Sequence, residues 1–335
     1  MFSRPLPRSG IENILIISLS NIGDVILTFP VIDLIREWFP QARISVVIGP
    51  KAVSLLQGNP HFEKIYIFDK LQGPLKTLCW MLKLRQQSFD LIVDLRNTLI
   101  PFLLRTRYRT PLASPRRWTG HMREKHLARL QSLFSVDGPS QRKYCVYFPH
   151  ALLAQVEELL CKNIPPGRPV VTVAPGAAHH LKRWSEQGFA QVCDGLIQKY
   201  RAGIVFIGNA EDRPIVHRVT TMMQQRGVNL TGQLDLLQVA CVLKKSLMAI
   251  MNDSGPMHLA SYLDVPLVAL FGPTDVRKYG PWSSLSCVIQ KKDSTLTESF
   301  SLPQAPGHMN AITSEEVLGA IHMDEDGLRL EVRQS

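Results

Sequence analysis

The sequence predicts an α/β protein with two parallel sheets, each covered by helices on both faces. Its 335 residues exceed what one hydrophobic core usually organises and suggest about two domains. Strand-like and helix-like segments alternate along the chain, which is typical of parallel strands joined by helical crossovers. The stretch 163–169, which contains three prolines and a glycine, interrupts this alternation, and the alternation then starts again.

The first half opens with an almost uninterrupted apolar run, Asn13–Leu19, as expected of a strand buried on both faces. A loop over 20–24 is expected next. The helix after it should have Thr28 as its N-cap and Pro30 in its first turn, because a proline deeper in the helix would kink it. A second helix is predicted over Leu75–Gln87. Further strands are predicted at Arg43–Ile48, Lys64–Phe68, Asp90–Leu95 and Tyr144–Phe148.

The second half repeats the pattern with clearer helix starts. Ser185 and Asp235 are suited to cap two helices, Pro214 to stand near the start of another, and Thr313 with Glu316 to form a capping box for the last. A short helix is also expected over 256–263. The predicted strands are Val170–Ala174, Gly203–Ile207, Leu247–Met251 and Val265–Phe271.

These elements predict three segments: a first domain over 1–163, a second over 164–312, and a C-terminal helix and tail over 313–335. In parallel sheets, ligands bind beyond the carboxyl ends of the strands. Polar residues that directly follow predicted strands are therefore the candidates for a functional site.

Composition narrows the class of protein. The chain is 45% hydrophobic and 20% charged, as in ordinary globular proteins, and no apolar run reaches the length of a membrane span. No signal-peptide pattern is evident, so we expect a cytoplasmic protein. The six cysteines show no C-x-x-C spacing and are expected to be reduced core residues.

The net charge of +10 is concentrated in the first half. Residues 1–150 contain 21 Lys and Arg against 10 Asp and Glu, whereas residues 151–335 contain 17 against 18. This asymmetry predicts an anionic partner for the first half.

The strongest local motif is the segment 248–258, in which a buried strand leads directly into Asn252-Asp253-Ser254-Gly255-Pro256. Backbone N–H groups at such a helix start attract phosphate, and Asp253 can accept hydrogen bonds from sugar hydroxyls. His258 follows one turn later. The alternative is an ordinary capped helix with a packed histidine.

A second phosphate site is suggested by the turn Pro175-Gly176-Ala177, after which Lys182 and Arg183 supply two cations. Cations beside a glycine turn suit a diphosphate leaving group, whose negative charge grows as it departs. Glu211 follows the next strand, where a carboxylate can bind ribose hydroxyls. A turn with solvated charges is the alternative.

In the first half, Gly23 and Asp24 follow the first strand. A carboxylate at this position can remove a proton from an attacking hydroxyl, although an N-terminal helix carboxylate is the simpler explanation.

The segment 96–129 contains nine Lys and Arg and one acidic residue, Glu124. It suits anionic lipid, phosphorylated sugar or nucleic acid, with a solvated loop as the alternative. The triplet Asp324-Glu325-Asp326 superficially resembles a metal-binding D-x-D motif, but it lies in a polar tail, and no metal or cofactor is expected.

Four blocks of the sequence stand out together: Ile22–Thr28, Pro175–Ala177 with Lys182–Trp184, Asn252–Ala260 and Phe271–Asp275. In order and spacing they resemble the lipopolysaccharide heptosyltransferases of glycosyltransferase family 9. The resemblance covers nearly the whole chain and implies a GT-B fold, in which two Rossmann-like domains face each other across an active-site cleft.

The resemblance implies inverting, metal-independent transfer of heptose from ADP-L-glycero-D-manno-heptose to the inner core of lipopolysaccharide, at the cytoplasmic face of the inner membrane. It implies Asp24 as general base and Lys182 as the group that stabilises the leaving diphosphate. An anionic acceptor would occupy the basic first half, and nucleic acid is not expected. The donor-binding residues would be Gly176, Ala177, Arg183, Glu211, Asp253, Ser254, Gly255 and His258. The acceptor-binding residues would be Gly23, Arg96, Arg116, Arg117 and Arg123.

One departure from the family pattern concerns the donor. Relatives often have Ser or Thr after the Pro-Gly turn, whereas this chain has Ala177 and Ala178. Three alternatives therefore stay open: a family 9 transferase with another nucleotide-sugar and glycan, a GT-B sugar-nucleotide epimerase, and a non-catalytic protein that binds nucleotide-sugar or nucleic acid.

Overall fold

The structure is a computed structural model that describes residues 6, 9–112, 118–135, 138, 140, 142–291, 307–324 and 327–330. The chain separates into two compact units, Met1–Tyr147 and Phe148–Ser335. Each contains a parallel sheet, so the predicted fold class is confirmed. Within the described residues, no helix combines the length and apolar character needed to cross a bilayer.

The first unit is built on a five-stranded sheet in which every pairing is parallel. The strand order is β3-β2-β1-β4-β5. The first strand is therefore central, and the chain moves to its other side between β3 and β4. The strands are β1 (Asn13–Ile17), β2 (Arg43–Ile48), β3 (Lys64–Ile67), β4 (Phe89–Asp94) and β5 (Thr106–Arg109).

The helices of the first unit cover this sheet. One core cluster joins Leu15 and Ile17 of β1 to Ile92 of β4 and Leu84 of the third helix, all essentially inaccessible to solvent. Burial of such side chains stabilises the fold by about 1.5–3 kcal/mol each. The helices are α1 (Ile22–Trp38), α2 (Val53–Leu56), α3 (Pro74–Arg85), α4 (Ile100–Leu103) and α5 (Met122–Gln131).

The second unit has a six-stranded parallel sheet with the order β11-β10-β9-β6-β7-β8. Its own first strand, β6, is again central, with β9 beside it. The strands are β6 (Val170–Ala174), β7 (Gly203–Phe206), β8 (Val228–Asn229), β9 (Met248–Asn252), β10 (Leu267–Phe271) and β11 (Ser286–Gln290).

Three helices of the second unit begin at the caps that the sequence predicted. Ser185 and Asp235 accept hydrogen bonds from the N–H groups of Gly188 and Gln238, and Thr313 forms its capping box. The helices are α6 (His150–Asn163), α7 (Glu186–Tyr200), α8 (Arg213–Met222), α9 (Leu236–Lys245), α10 (Gly255–Tyr262), α11 (Val276–Tyr279), α12 (Gly307–Asn310) and α13 (Ser314–Gly319).

Two observed elements bear on the predicted division into segments. Helix α6 precedes the predicted boundary at residue 163, yet it packs against α9 within the second unit. After α13 the chain forms an antiparallel hairpin of β12 (Ile321–Asp324) and β13 (Gly327–Leu330). The hairpin strands use part of the segment that the sequence suggested was a polar tail.

The expected strand over Tyr144–Phe148 is wrong, because this segment is irregular. The N–H groups of Tyr144 and Cys145 donate to the Asp33 carboxylate at 2.8 and 3.1 Å. Their carbonyls accept hydrogen bonds from Asn59 Nδ2 at 2.8 and 3.1 Å. The Asp33 and Asn59 side chains thus form the hydrogen bonds that these backbone groups would form with a neighbouring strand in a sheet.

The predicted start of the first helix is also wrong. Residues 22–24 form the first turn of α1 rather than a loop, so Pro30 lies inside the helix. Thr28 is buried within it and does not cap it. The Thr28 hydroxyl donates to the Val25 carbonyl at 2.6 Å and lies 2.7 Å from Ser18 Oγ.

Candidate active site

The polar loops of the second unit converge where β6 and β9 lie side by side. The two strands pair in register from Val171–Met248 to Ala174–Met251, so their carboxyl ends are adjacent. The chain leaves the sheet in opposite directions from these strands, and such a switch point opens a crevice for ligands. The loop after β6 contains Lys182, and the loop after β9 contains Asp253.

An ion pair joins these two loops. Lys182 Nζ lies 2.7 Å from Asp253 Oδ2, with side-chain exposures of 33% and 5%. A carboxylate buried to this extent requires a nearby cation or hydrogen-bond donors. Residues 71 positions apart in sequence therefore meet at one point.

Asn252, the last residue of β9, links the same two loops through hydrogen bonds. It was not among the predicted site residues. Its side chain is completely buried. Its Nδ2 donates to the Pro175 carbonyl at 2.8 Å, and its Oδ1 accepts from the Trp184 N–H at 3.2 Å. A polar residue that ends the apolar strand Met248–Asn252 was the available signal in the sequence.

The start of α10 lies directly after Asp253. Ser254 precedes the helix in an extended conformation, but its side chain does not cap it. Ser254 Oγ is buried and has no hydrogen-bond partner among the described residues. The uncapped N–H groups at Gly255 and beyond, together with the helix dipole, favour an anionic ligand here.

His258 lies one turn into α10 and is 5% exposed. Its ring stacks on Trp282, with 6.2 Å between centroids and an interplanar angle of 26°. The indole thus fixes the orientation of the imidazole beside the helix start.

The turn after β6 depends on its glycine. A Cβ on Gly176 would lie 2.2 Å from Asp212 Oδ1, so a larger residue would displace that carboxylate. Burial raises the pKa of the Asp212 carboxyl, although the Asn209 N–H and the charge of Arg183 lower it. Ala177 is buried, and its carbonyl accepts from Arg183 Nε at 2.9 Å. The arginine therefore braces the turn.

Glu211 follows β7, at the same edge of the sheet. Its carboxylate is exposed, and its N–H donates to Asn209 Oδ1 at 2.8 Å. It is positioned by the capping box that Asn209 forms with Asp212. The side chain is accessible to a ligand.

In the first unit, the corresponding switch point lies between β1 and β4, which pair up to Ile17–Asp94. Gly23 and Asp24 lie in the first turn of α1, after β1. Asn21 Nδ2 donates to Asp24 Oδ2 at 3.0 Å, and the helix dipole stabilises a carboxylate there. The half-buried position leaves Asp24 accessible for proton transfer.

Arg96 follows β4 on the other side of this switch point. Its guanidinium carbon lies 5.2 Å from the centroid of the Phe68 ring. The preceding Asp94 carboxylate accepts hydrogen bonds from the N–H groups of Arg96 and Thr98. Burial raises the pKa of Asp94, while these donors and Arg129 lower it.

The rest of the basic segment is partly helical. Arg123 lies on α5, where burial lowers the pKa of its guanidinium and Glu124 raises it. His126, on the same helix, is 3% exposed. Burial, followed by the charges of Lys125 and Arg129, lowers the pKa of His126 to about 4. The predicted residues Arg116 and Arg117 lie outside the described residues.

Among the described residues, no group of three or more His, Cys, Asp or Glu side chains could hold a metal ion. The triplet at 324–326 lies partly outside those residues.

Comparisons with known proteins agree with this architecture. The chain is 21% identical over 317 residues to the lipopolysaccharide core heptosyltransferase OpsX of Haemophilus influenzae, which covers 90% of each chain. It superposes on the structure of Escherichia coli ADP-heptose LPS heptosyltransferase II with a TM-score of 0.73 and 22% identity, covering 92% of this chain and 96% of that one. For E. coli heptosyltransferase WaaC with ADP, the TM-score is 0.69 at 16% identity, covering 92% and 98%.

The two parallel sheets and these superpositions define a GT-B fold. The model of glycosyltransferase family 9 (heptosyltransferase) matches residues 80–304. The chain belongs to this family, as the sequence motifs predicted, and it is a glycosyltransferase enzyme.

Proposed function

We propose that this chain transfers heptose from ADP-L-glycero-D-manno-heptose to an inner-core sugar of lipopolysaccharide, with inversion at the anomeric carbon. The observation that carries the proposal is the buried Asp253 carboxylate, 2.7 Å from Lys182 and directly before α10. This arrangement offers an acceptor for sugar hydroxyls, a cation for phosphate and a helix start for the same anion.

The second unit would hold the donor. Gly255, Ser254 and Arg183 would contact the phosphates, and Asp253 and His258 the heptose. Glu211, exposed after β7, would contact the ribose. The turn at Gly176 and Ala177 would form the floor below the nucleotide.

The reaction would be a single displacement. Asp24 would take the proton of the acceptor hydroxyl while that oxygen bonds to the anomeric carbon. The bond between that carbon and the phosphate oxygen would break, and its electron pair would leave with ADP. Lys182 would stabilise the charge that develops on the diphosphate, a type of contribution that is worth about 2.7–4 kcal/mol in other enzymes.

The first unit would bind the acceptor through Gly23, Arg96, Arg123 and the two arginines at 116 and 117. The surplus of Lys and Arg in residues 1–150 supports an anionic acceptor, since arginine pairs well with phosphate and carboxylate. The enzyme would act at the cytoplasmic membrane face, where such an acceptor is anchored.

The deciding experiment incubates the full chain with ADP-heptose and core-truncated lipopolysaccharide and measures the product mass. A gain of one heptose supports the proposal. UDP- and GDP-sugars serve as parallel donors, because Ala177 and Ala178 remove hydroxyls that relatives often have. Transfer from one of those donors instead, or donor epimerisation without an acceptor, would overturn the heptose assignment.

A further inference from the structure

Helix α3 (Pro74–Arg85) is apolar on two opposite sides. Its inner side supplies Leu84, which is fully buried, and Trp80 and Met81, which pack against the core of the first unit. Trp80 also meets the Phe68 ring edge-on, with 4.9 Å between centroids. These contacts suffice to dock the helix on the sheet, so the fold does not require apolar residues on its outer side.

The outer side nevertheless carries a stripe of leucines. At about 100° per residue, Leu75, Leu78 and Leu82 lie within about 60° of one another around the helix. They are 78%, 56% and 52% exposed, and Leu71, just before the helix, is also exposed. Scattered exposed leucines need no explanation, but an ordered stripe of this kind marks an interaction site. We call these four leucines the α3 outer face.

Cations flank this stripe on both sides. Lys76 and Lys83 lie about 80–100° to one side of Leu75, and Arg85 lies about 80° to the other. Lys70 precedes the helix, and no Asp or Glu occurs from residue 70 to residue 88. The leucines on the helix are therefore flanked by positive charge, and the nearest acid in sequence is Asp69, which accepts from the Leu71 N–H before the helix begins.

The short helix α4 also has apolar side chains exposed to solvent. Leu99, Phe102 and Leu103 are exposed there, while Ile100 packs against the same core cluster as Trp80. Two helices that share one core cluster thus both present apolar side chains to solvent.

We propose that the α3 outer face docks on an anionic lipid bilayer, with its leucines at the acyl boundary and its cations at the lipid phosphates. The inference rests on the proposed function, because an acceptor anchored in a membrane requires the enzyme to work at that surface. Helices with leucines on one face and Lys or Arg beside them bind in this manner. A second copy of the chain suits the stripe less well, because pairing α3 with itself would bring cations together without any acid between residues 70 and 88.

The test uses the full chain and vesicles that contain neither donor nor acceptor. Wild-type protein should sediment with vesicles of phosphatidylglycerol mixed with phosphatidylcholine, and much less with phosphatidylcholine alone. The triple variant L75Q/L78Q/L82Q should bind at least about 30-fold more weakly. The variant K76Q/K83Q should bind about 10-fold more weakly at low salt, with less difference at high salt.

The matched control is M222Q/L285Q, which makes the same kind of change in the second unit at 52% and 44% exposure. It should bind vesicles as the wild type does. Equal binding by the leucine variant and the wild type, or an equal loss in the control, would overturn the assignment. So would a wild-type dimer that the leucine variant converts to a monomer, since a second copy would then cover the stripe.

Transfer assays separate this inference from the proposed function. The leucine variant should retain wild-type turnover on deacylated, water-soluble acceptor and lose at least about 10-fold in kcat/KM on vesicle-embedded acceptor. Absence of heptose transfer by the wild type would refute the proposed function while the vesicle binding stands. Equal losses of the leucine variant on both acceptors would refute the membrane role.

Discussion

The last residue of β4 and the last residue of β9 occupy the same place in their sheets, beside the central strand, and both are polar and buried. Asp94 accepts hydrogen bonds from Arg96 and Thr98 and so closes its own loop. Asn252 instead bonds to the backbone of the loop that follows β6. The same topology thus gives a self-contained loop in the first unit and two linked loops in the second.

The difference indicates how each site is organised. In the second unit, Lys182 and Asp253 are fixed by each other through their ion pair. In the first, Asp24 is held by its neighbour Asn21 and by the start of its own helix. We infer that donor recognition is preorganised, whereas acceptor recognition relies on broad positive charge.

The largest effect is expected from substituting Asp24. This substitution tests whether the first unit contributes a catalytic group. Asp24→Asn keeps the shape and removes the base, so turnover should fall about 1,000-fold while the Kd for ADP-heptose stays unchanged. Rapid-quench turnover and calorimetric titration measure the two quantities. Asp69→Asn, a carboxylate of the same unit that accepts from the Leu71 N–H, is the control. Near-normal turnover would remove Asp24 from the mechanism.

The next effect concerns Lys182. Lys182→Met removes the cation expected to stabilise the leaving diphosphate and leaves the Asp253 carboxylate without its partner. Turnover should fall about 100-fold, and the free energy of unfolding should fall by about 1–3 kcal/mol. Arg218→Met breaks the more exposed Arg218–Glu186 pair, which is 2.8 Å long, and should change turnover and stability little. If Lys182→Met changed turnover and stability no more than Arg218→Met does, the Lys182–Asp253 pair would have no special role.

The stability of the first unit should depend on pH through His126. Burial, Lys125 and Arg129 lower the pKa of His126 to about 4 in the fold, against 6.5 ordinarily. Protonation therefore favours the unfolded state, so stability is complete above pH 6.5 and declines as the pH falls towards 4. The loss should total about 3 kcal/mol. Urea unfolding at several pH values should show this loss for the wild type and a flatter profile for His126→Gln; parallel profiles would contradict the assignment.

Much of the fold was predictable because buried parallel strands are short apolar runs and three helices of the second unit carry clear caps. Strands such as Arg43–Ile48 and Val170–Ala174 were predicted with the bounds observed. Strand β5 and helix α5 were not, because they lie in the basic segment, where charge masks the apolar period. The irregular segment 144–148 reads as a strand locally, and only the distant Asp33 and Asn59 determine its path.

The candidate site was predictable where its residues follow strands in sequence, as Lys182 and Asp253 do. Asn252 was part of the motif, yet its role depends on contacts with residues 68 and 77 positions away. The close approach of Asp212 to Gly176, which leaves no room for a Cβ, could not be predicted for the same reason. Sequence patterns therefore give the positions of polar groups along strands, and only folding reveals which groups meet.

The smallest expected effect tests the link between the two loops of the second unit. Asn252→Ala removes the hydrogen bonds to Pro175 and Trp184 and leaves both backbone groups buried without those partners. The free energy of unfolding should fall by about 2 kcal/mol, and the KM for the donor should rise several-fold with a smaller change in kcat. Asn163→Ala, which removes one exposed bond to the Leu159 carbonyl, is the matched control and should alter neither quantity appreciably. If the Asn252 variant lost stability while donor KM stayed at the wild-type value, the loops would be joined for folding alone, and the preorganisation inferred for the second unit would rest on the Lys182–Asp253 pair.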